Sequence, residues 1–152
     1  MTHSFNRTIL REYDIRGIVG DTLTEADAYA LGRTFASQAR EEGARRIAVG
    51  RDGRLHSGML EMALIRGLGD SGIDVMQIGM GPSPMLYFAT HYLDVHGGIQ
   101  VTGSHNPADY NGFKLLLKGR SVFGAEIQAL GKRAEGGDWF DGGGTVEEVS
   151  AK

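Results

Sequence analysis

Apolar positions along the chain follow two rhythms. From Ala28 they recur every three or four residues, at Leu31, Phe35 and Ala39, the spacing that gathers side chains on one face of a helix. Thr24-Glu25-Ala26-Asp27 opens that stretch with an N-cap threonine and acids in the first turn, and Gly43 offers a stop. Arg46-Ile47-Ala48-Val49 then reads as a short buried strand ending at Gly50. Ser57 is placed to cap a second helix whose apolar face is Leu60, Ala63, Leu64, Gly67 and Leu68. Ile73 to Ile78 is rich in β-branched residues and predicts another strand. Gly81-Pro82-Ser83-Pro84 forms a loop that also starts a helix, with Ser83 at the N-cap and Pro84 at the first helical position, running to about Tyr92. Gly98 to Val101 and Phe113 to Leu117 are two more strands, and Gly124 to Ala134 is a last helix burying Ile127 and Leu130.

Strands alternating with helices of this length predict an α/β fold with βαβ crossovers. The link from Val101 to Phe113 holds no helix, so those two strands are expected to pair antiparallel. The expectation is a mixed, mostly parallel sheet of about four strands between helices. After Gly136 the periodicity dissolves into Gly136-Gly137-Asp138 and Gly142-Gly143-Gly144, which reads as boundary chemistry. The predicted organisation is one α/β domain over residues 1–136 and a C-terminal linker segment over 137–152.

Composition narrows the function classes. With 152 residues the chain is long enough for one domain with a real core. A net charge of −3 carries no basic footprint for nucleic acid, and no apolar run reaches the length of a membrane span. Residues 1–12 lack the apolar segment of a secretory signal. The chain has no cysteine, which excludes disulfides and thiolate zinc sites and fits a reducing cytoplasm. Its five histidines show no metal-site spacing, and neither a Walker A nor a Gly-x-Gly-x-x-Gly pattern follows a strand. Glycine, at 24 residues, is more than twice the usual share of about 7%, and it punctuates the periodic segments as turns and close approaches do.

The candidate chemistry sits at Thr102-Gly103-Ser104-His105-Asn106-Pro107, directly after the strand Gly98 to Val101. A serine there projects from a tight turn at the carboxyl end of a strand, where α/β sheets bind their ligands. Read alone, serine before Asn-Pro is also ordinary turn material. Three further blocks bear on the choice: Tyr13-Asp14-Ile15-Arg16-Gly17, Gly50-Arg51-Asp52-Gly53-Arg54, and Asp109-Tyr110-Asn111-Gly112-Phe113-Lys114. Together and in this order, the four resemble the α-D-phosphohexomutases, in their phosphomannomutase/phosphoglucomutase branch. The resemblance runs from about Phe5 to Val149. The phosphoglucosamine branch usually has alanine at the position of Gly103; a phosphoglucosamine mutase domain and a non-catalytic folding or binding module remain the alternative readings.

The resemblance implies that Ser104 carries a phosphoryl group, passes it to a hexose phosphate, and recovers the opposite phosphate from the bisphosphorylated sugar. Phosphoryl transfer leaves the protein mainly positioning and charge neutralisation, so cations are expected near a phosphoserine. Lys114 and Arg16 are those cations by resemblance, with roles in proton transfer or charge stabilisation, and Tyr13 would line the substrate entrance. Read alone, Lys114 is a solvated strand lysine and Arg16 half of a turn charge pair. His105 is suited to act as a general base, to orient the loop, or to contact phosphate. Thr102, Gly103 and Asn106 are expected to hold the loop, with Arg51 and Asp52 as an ion pair bracing it. The resemblance further implies magnesium, bound to Ser104 through its phosphate and completed by an acidic loop of a following domain, and a hexose 1,6-bisphosphate intermediate. It also implies that the chain is the first of four domains, that it depends on the others for turnover, and that it acts in the cytoplasm on sugar phosphates.

Overall fold

The computed structural model describes residues 2–11, 14–80, 95–103, 107, 109–117, 120–122 and 124–148. A 3-10 helix, Arg7–Ile9, leads to strand β1 (Ile15–Ile18), helix α1 (Glu25–Glu41), β2 (Arg46–Arg51), α2 (Ser57–Asp70) and β3 (Asp74–Met80). There follow β4 (Gly97–Val101), β5 (Tyr110–Leu117), β6 (Arg120–Ser121), α3 (Ala125–Glu135) and β7 (Val146–Glu148). The helix expected from Pro84 to Tyr92 lies outside the described residues.

Helix α1 starts where the sequence places it. Thr24 and Asp27 form a reciprocal capping box: the Asp27 amide donates to the Thr24 hydroxyl at 3.3 Å, and the Thr24 amide donates to the Asp27 carboxylate at 2.8 Å. Its face of Ala28, Leu31, Phe35 and Ala39 is wholly buried. The start of α2 differs from expectation. His56 occupies the cap position without a side-chain cap bond, and Ser57 is the first helical residue. Its hydroxyl is committed elsewhere, as described below.

Helices α1 and α2 cross in backbone contact. A Cβ added to Gly32 would lie 2.4 Å from the Leu64 carbonyl oxygen, and one on Gly67 2.1 Å from the Tyr29 carbonyl oxygen. Any side chain at these two positions would drive the helices apart. Leu60, Leu64 and Leu68 of α2 join the α1 stripe and the buried Ile127 and Leu130 of α3 in one core. That core lies against the sheet face formed by Ile15, Ile47, Val49, Ile99, Val101, Phe113 and Leu115. A small second cluster of Ala48, Ile78 and Leu116 lies on the opposite face.

The described sheet has seven strands, ordered β1-β5-β4-β2-β3-β7 with β6 on β5. It is mixed, as expected, and wider: the four expected strands are β2, β3, β4 and β5, and β1, β6 and β7 extend them. Parallel pairing links β2 to β3, β2 to β4 and β3 to β7, while β5 runs antiparallel to β1, β4 and β6. The helix-free link brings Val101 opposite Phe113. β1 was read as a turn because four residues are too few to show alternation, and its pairing partner is distant in sequence.

The glycine-rich tail is stitched to the domain beyond residue 136. Trp139 packs on the core, and the Arg33 guanidinium lies 5.2 Å from its ring centroid while donating to Ser71 at 2.7 Å and pairing with Asp141. Amides of Gly142 and Gly144 donate to the carbonyls of Asp70 and Gly69, each at 2.9 Å, and carry the chain into β7 beside β3. The glycines at 142 and 144 thus serve close backbone approach as well as freedom: a Cβ on Gly144 would meet the Ile73 carbonyl oxygen at 1.9 Å.

Gly67→Ala decides between two opposed effects. Helix propensity favours alanine by about 1 kcal/mol, whereas overpacking a closed contact costs roughly 1–3 kcal/mol or more. With backbone as the obstructing atom, the clash wins. Urea unfolding should show Gly67→Ala less stable by about 2 kcal/mol at an unchanged denaturant slope.

Candidate functional site

The site is built where the parallel strands β2 and β4 end side by side, Arg51 opposite Val101. β5 enters the sheet at the same end and β1 leaves it there, Ile18 opposite Tyr110. The backbone beyond β4 is therefore framed by three neighbouring strands and the first turn of α2. Ser104, His105 and Asn106, together with Tyr13, lie outside the described residues. Thr102, Gly103 and Pro107 on either side of the serine are described.

Asp52 organises this frame. One carboxylate oxygen accepts from the Thr102 hydroxyl at 2.9 Å and the Gly103 amide at 3.0 Å. The other accepts from the Ser57 hydroxyl at 2.5 Å and the Arg54 amide at 3.1 Å. Asp52's own amide donates to the Val101 carbonyl at 2.9 Å. The Ser57 hydroxyl also accepts from the Asn111 amide group at 2.9 Å, and the Asn111 carbonyl oxygen accepts from the Gly112 amide at 2.9 Å. Gly112 closes the ring by accepting from the Thr102 amide at 2.9 Å. One carboxylate thus ties the ends of β2 and β4, the start of β5 and the start of α2. Burial pushes its pKa up, but the hydrogen bonds from Ser57, Arg54, Gly103 and Thr102 outweigh that and hold it below the ordinary carboxylate value.

The cation beside Asp52 is Arg54, at 3.4 Å, and not Arg51. Arg51 points its Nε at Glu61 of α2 at 3.5 Å and meets Asp52 only through the backbone carbonyl, at 3.3 Å. The expected Arg51–Asp52 ion pair is corrected accordingly: residues adjacent in an extended segment project to opposite faces, while Arg54, two positions on, returns across the turn. Arg54 also donates to the carbonyls of Pro107 at 2.7 Å and Tyr110 at 3.2 Å, so it clasps both flanks of the loop. Gly103 lies directly beneath it; a Cβ there would sit 2.3 Å from the guanidinium carbon. Glu61 is buried and also accepts from Gln77 at 2.8 Å. Burial raises its pKa, against the hydrogen bond from Gln77 and the charge of Arg51.

Arg16 and Lys114 share the sheet face turned away from the three described helices. Arg16 is paired with Gly112 across β1 and β5, and side chains two apart on a strand lie on one face, which puts Lys114 with Gly112. Arg16, Gly112 and Thr102 form one row across the sheet, so Arg16 lies two strand spacings, roughly 10 Å, from the base of the loop. Lys114 is opposite Gln100, one pleat further into the sheet. Arg16 is held by Asp14 at 2.5 Å. Among the described residues, no three His, Asp or Glu side chains converge as a metal site.

Sequence reasoning passed over Arg54, Ser57, Asn111 and Glu61. Arg54 and Asn111 stood inside motif blocks already singled out. Ser57 was assigned to the helix cap, the commonest use of a serine before an apolar helical run. The carboxylate five residues before it was the available signal.

Asp52→Asn tests the hub, because an amide nitrogen cannot accept and two of the four donors must lose their partner. Stability at neutral pH should fall by about 2 kcal/mol, lowering Tm by roughly 4–8 °C. The folded-state pKa is depressed, so the carboxylate's stabilisation is present above its unfolded pKa and lost as pH falls through the folded value. Calorimetry across pH should find the gap between the two proteins widest at pH 7 and closing below about pH 4.

The family model for phosphoglucomutase/phosphomannomutase, alpha/beta/alpha domain I, matches residues 7–139. A phosphomannomutase/phosphoglucomutase of Pseudomonas aeruginosa is 49% identical over 142 residues, covering 93% of this chain and 31% of the relative. A phosphoglucomutase of Neisseria gonorrhoeae is 53% identical over 127 residues, 84% of this chain and 28% of the relative. The crystal structure of a phosphoglucomutase/phosphomannomutase family protein from Burkholderia thailandensis superposes with a TM-score of 0.93 at 42% identity, over 96% of this chain and 34% of that one. The chain spans about a third of the length of the relatives it matches. A mixed sheet with its loop braced at the carboxyl ends of β2 and β4, and a family model matched along most of its length, make this chain a member of the phosphoglucomutase/phosphomannomutase family, corresponding to its α/β/α domain I.

Proposed function

We propose that the chain is the phosphoserine-bearing part of a longer mutase that interconverts hexose 1-phosphate and hexose 6-phosphate through a bisphosphorylated sugar. Ser104 carries the phosphoryl group. In transfer, its Oγ–P bond breaks as a bond forms from phosphorus to a sugar hydroxyl, and the proton leaving that hydroxyl is taken up by a nearby base. The observation that carries the reading is the anchoring of Thr102 and Gly103, the two residues before Ser104, by one ionised carboxylate at the carboxyl end of the sheet. A loop so braced keeps a transferred group in a fixed position, which is most of what phosphoryl transfer asks of a protein.

Arg16 and Lys114 are the cations proposed to face the phosphate, supported by their shared sheet face and the row that joins Arg16 to the loop base. His105 is proposed as a base or phosphate contact, Tyr13 as part of the substrate entrance, and Asn106 as support within the loop. Magnesium, when bound, would neutralise charge on the phosphate of Ser104. Its other ligands, and recognition of the sugar's far end, are proposed to come from polypeptide that follows this segment in the full-length mutase. The expected compartment is the cytoplasm.

Incubation with glucose 1,6-bisphosphate followed by mass spectrometry should place one phosphate on Ser104 and none elsewhere. A chain that stays unphosphorylated, or is modified equally in Ser104→Ala, overturns the assignment. Ser104→Ala itself should change stability by less than about 0.5 kcal/mol, as expected for a loop residue.

Two cations facing the phosphate favour its dianion, so its second pKa should fall below the usual value of about 6. Phosphorus NMR across pH should show this, and Lys114→Ala should raise the value. A coupled assay should find negligible mutase turnover for the 152-residue chain alone, because positioning both ends of the sugar supplies several kcal/mol of barrier lowering.

A further inference from the structure

Glu61 stands in α2 among the buried Leu60, Leu64 and Ile65 and is itself only 2% exposed. A carboxylate in such a place is costly unless its oxygens are well bonded. One oxygen of Glu61 accepts from Gln77 at 2.8 Å and has the Arg51 Nε at 3.5 Å, beyond ordinary hydrogen-bond length. The other is buried and has no hydrogen-bond partner among the described residues. A neutral residue in place of a buried pair so thinly bonded is often neutral or stabilising, so stability does not account for this side chain. The phosphoryl transfer proposed above does not use it either.

Its position in the fold offers a role. Ser57 and Glu61 are one helical turn apart and share the face of α2 turned to the end of β2. Ser57 donates to the Asp52 carboxylate at 2.5 Å. Glu61 holds Arg51, whose guanidinium passes beside Gly58 and donates to the Asp52 backbone carbonyl at 3.3 Å. The helix is therefore tied to the Asp52 turn twice, and the same Asp52 carries Thr102 and Gly103. The two ties answer to different protons. Burial pushes the Glu61 pKa up, against the bond from Gln77 and the charge of Arg51. At Asp52 burial acts the same way, but four hydrogen bonds outweigh it. On acidification the Glu61 tie is lost first and the hub last. Arg51 is the ionised neighbour whose charge acts on Glu61. Arg54 is turned to Asp52 and the loop carbonyls, and Arg33 of α1 is committed to Ser71 and Asp141 beyond the helix crossing. Glu148 of β7, opposite Gln77, is exposed.

We propose that Glu61 is a proton-operated positioning residue for the serine loop: ionised, it holds Arg51 on α2 and so fixes the turn that carries Thr102 and Gly103; protonated, it releases Arg51 and leaves that turn to Asp52 and Ser57 alone. This coupling is independent of the chemistry proposed for Ser104.

An NMR titration of the chain tests it, following the Glu61 carboxyl carbon, the Arg51 Nε–H and the Gly103 amide. The Glu61 carboxyl should titrate above the ordinary glutamate value of about 4.3. Arg51 and Gly103 should shift with that same midpoint, before a second step from Asp52. Glu61→Gln mimics the protonated carboxyl. At neutral pH its Arg51 and Gly103 signals should already stand where the wild-type signals arrive once Glu61 is protonated, and on acidification they should show the Asp52 step alone. A raised folded-state pKa gives stability below the unfolded pKa that is lost as pH rises through the folded value, a loss glutamine does not suffer. The neutral-pH melting temperature of Glu61→Gln should therefore match or exceed that of the wild type. In Arg51→Gln the Glu61 carboxyl should still titrate while Gly103 no longer follows it. Wild-type Arg51 or Gly103 signals that ignore the Glu61 midpoint overturn the proposal. So does a Gly103 response that survives in Arg51→Gln, because the link then bypasses the arginine. A Glu61→Gln chain that melts well below the wild type at neutral pH, or fails to fold, makes the carboxylate a structural bond and overturns it as well.

Discussion

The half-buried carboxylate of Asp52 is the interaction on which the site end of this domain depends. Four donors from three different local structures converge on its two oxygens: a helix-start hydroxyl, a turn amide, and the hydroxyl and amide that lead into the serine loop. Each donor lies at or just beyond an element end, where strand or helix pairing runs out. A single charge substitutes for the missing ladder and makes separate termini behave as one rigid unit. The ionised state is part of the device, because a protonated carboxyl would offer one donor where only acceptors are wanted.

The mixed sheet gives that device its setting. A purely parallel arrangement would send the chain back to the amino end by a crossover after every strand. Here β5 turns straight back from β4, which keeps both flanks of residues 102–109 at the carboxyl end and lets Arg54 clasp them together. The two sheet faces then divide the labour. The face under α1, α2 and α3 takes nearly all the described apolar burial, and the other carries Arg16 and Lys114 with only a small apolar cluster. The two charged strand residues thus stay off the face that needs a core.

Local signals were legible in the sequence and long-range ones were not. The capping box at Thr24 and Asp27, the Ala28-Leu31-Phe35-Ala39 stripe and the four central strands each declare themselves within a dozen residues. The antiparallel turn of β5 was also readable, since a link too short for a helix leaves no other option. β1 and β7 escaped because short strands have little pattern of their own and borrow their state from a partner far along the chain. The tail glycines were read for flexibility when several serve close contact, a distinction that only the neighbour can reveal. Around Asp52, the motif blocks held the residues that gather there but paired the wrong arginine: which side chain crosses a turn to reach Asp52 is a matter of chain direction, not of residue type. Ser57 carries the same lesson, being a plausible cap in one dimension and a bridge in three.

The pairing of Ile15 with Phe113 joins positions nearly one hundred residues apart. On a ribosome adding roughly 5–20 residues per second, β1 must wait on the order of 5–20 seconds before its partner strand exists. Until then the residues around Arg16 have no sheet to join, while α1, β2, α2 and β3 already hold the makings of a βαβ unit. The order of synthesis therefore supplies the α1-β2-α2-β3 part of the core first, adds the charged β1 edge only with β5, and completes the core with α3. A nascent chain stalled before Tyr110 would present a partly formed core with an unpaired β4 edge, the kind of edge that recruits stray strands. Protection of that edge during translation falls to the cell's chaperones or to the speed with which β5 follows.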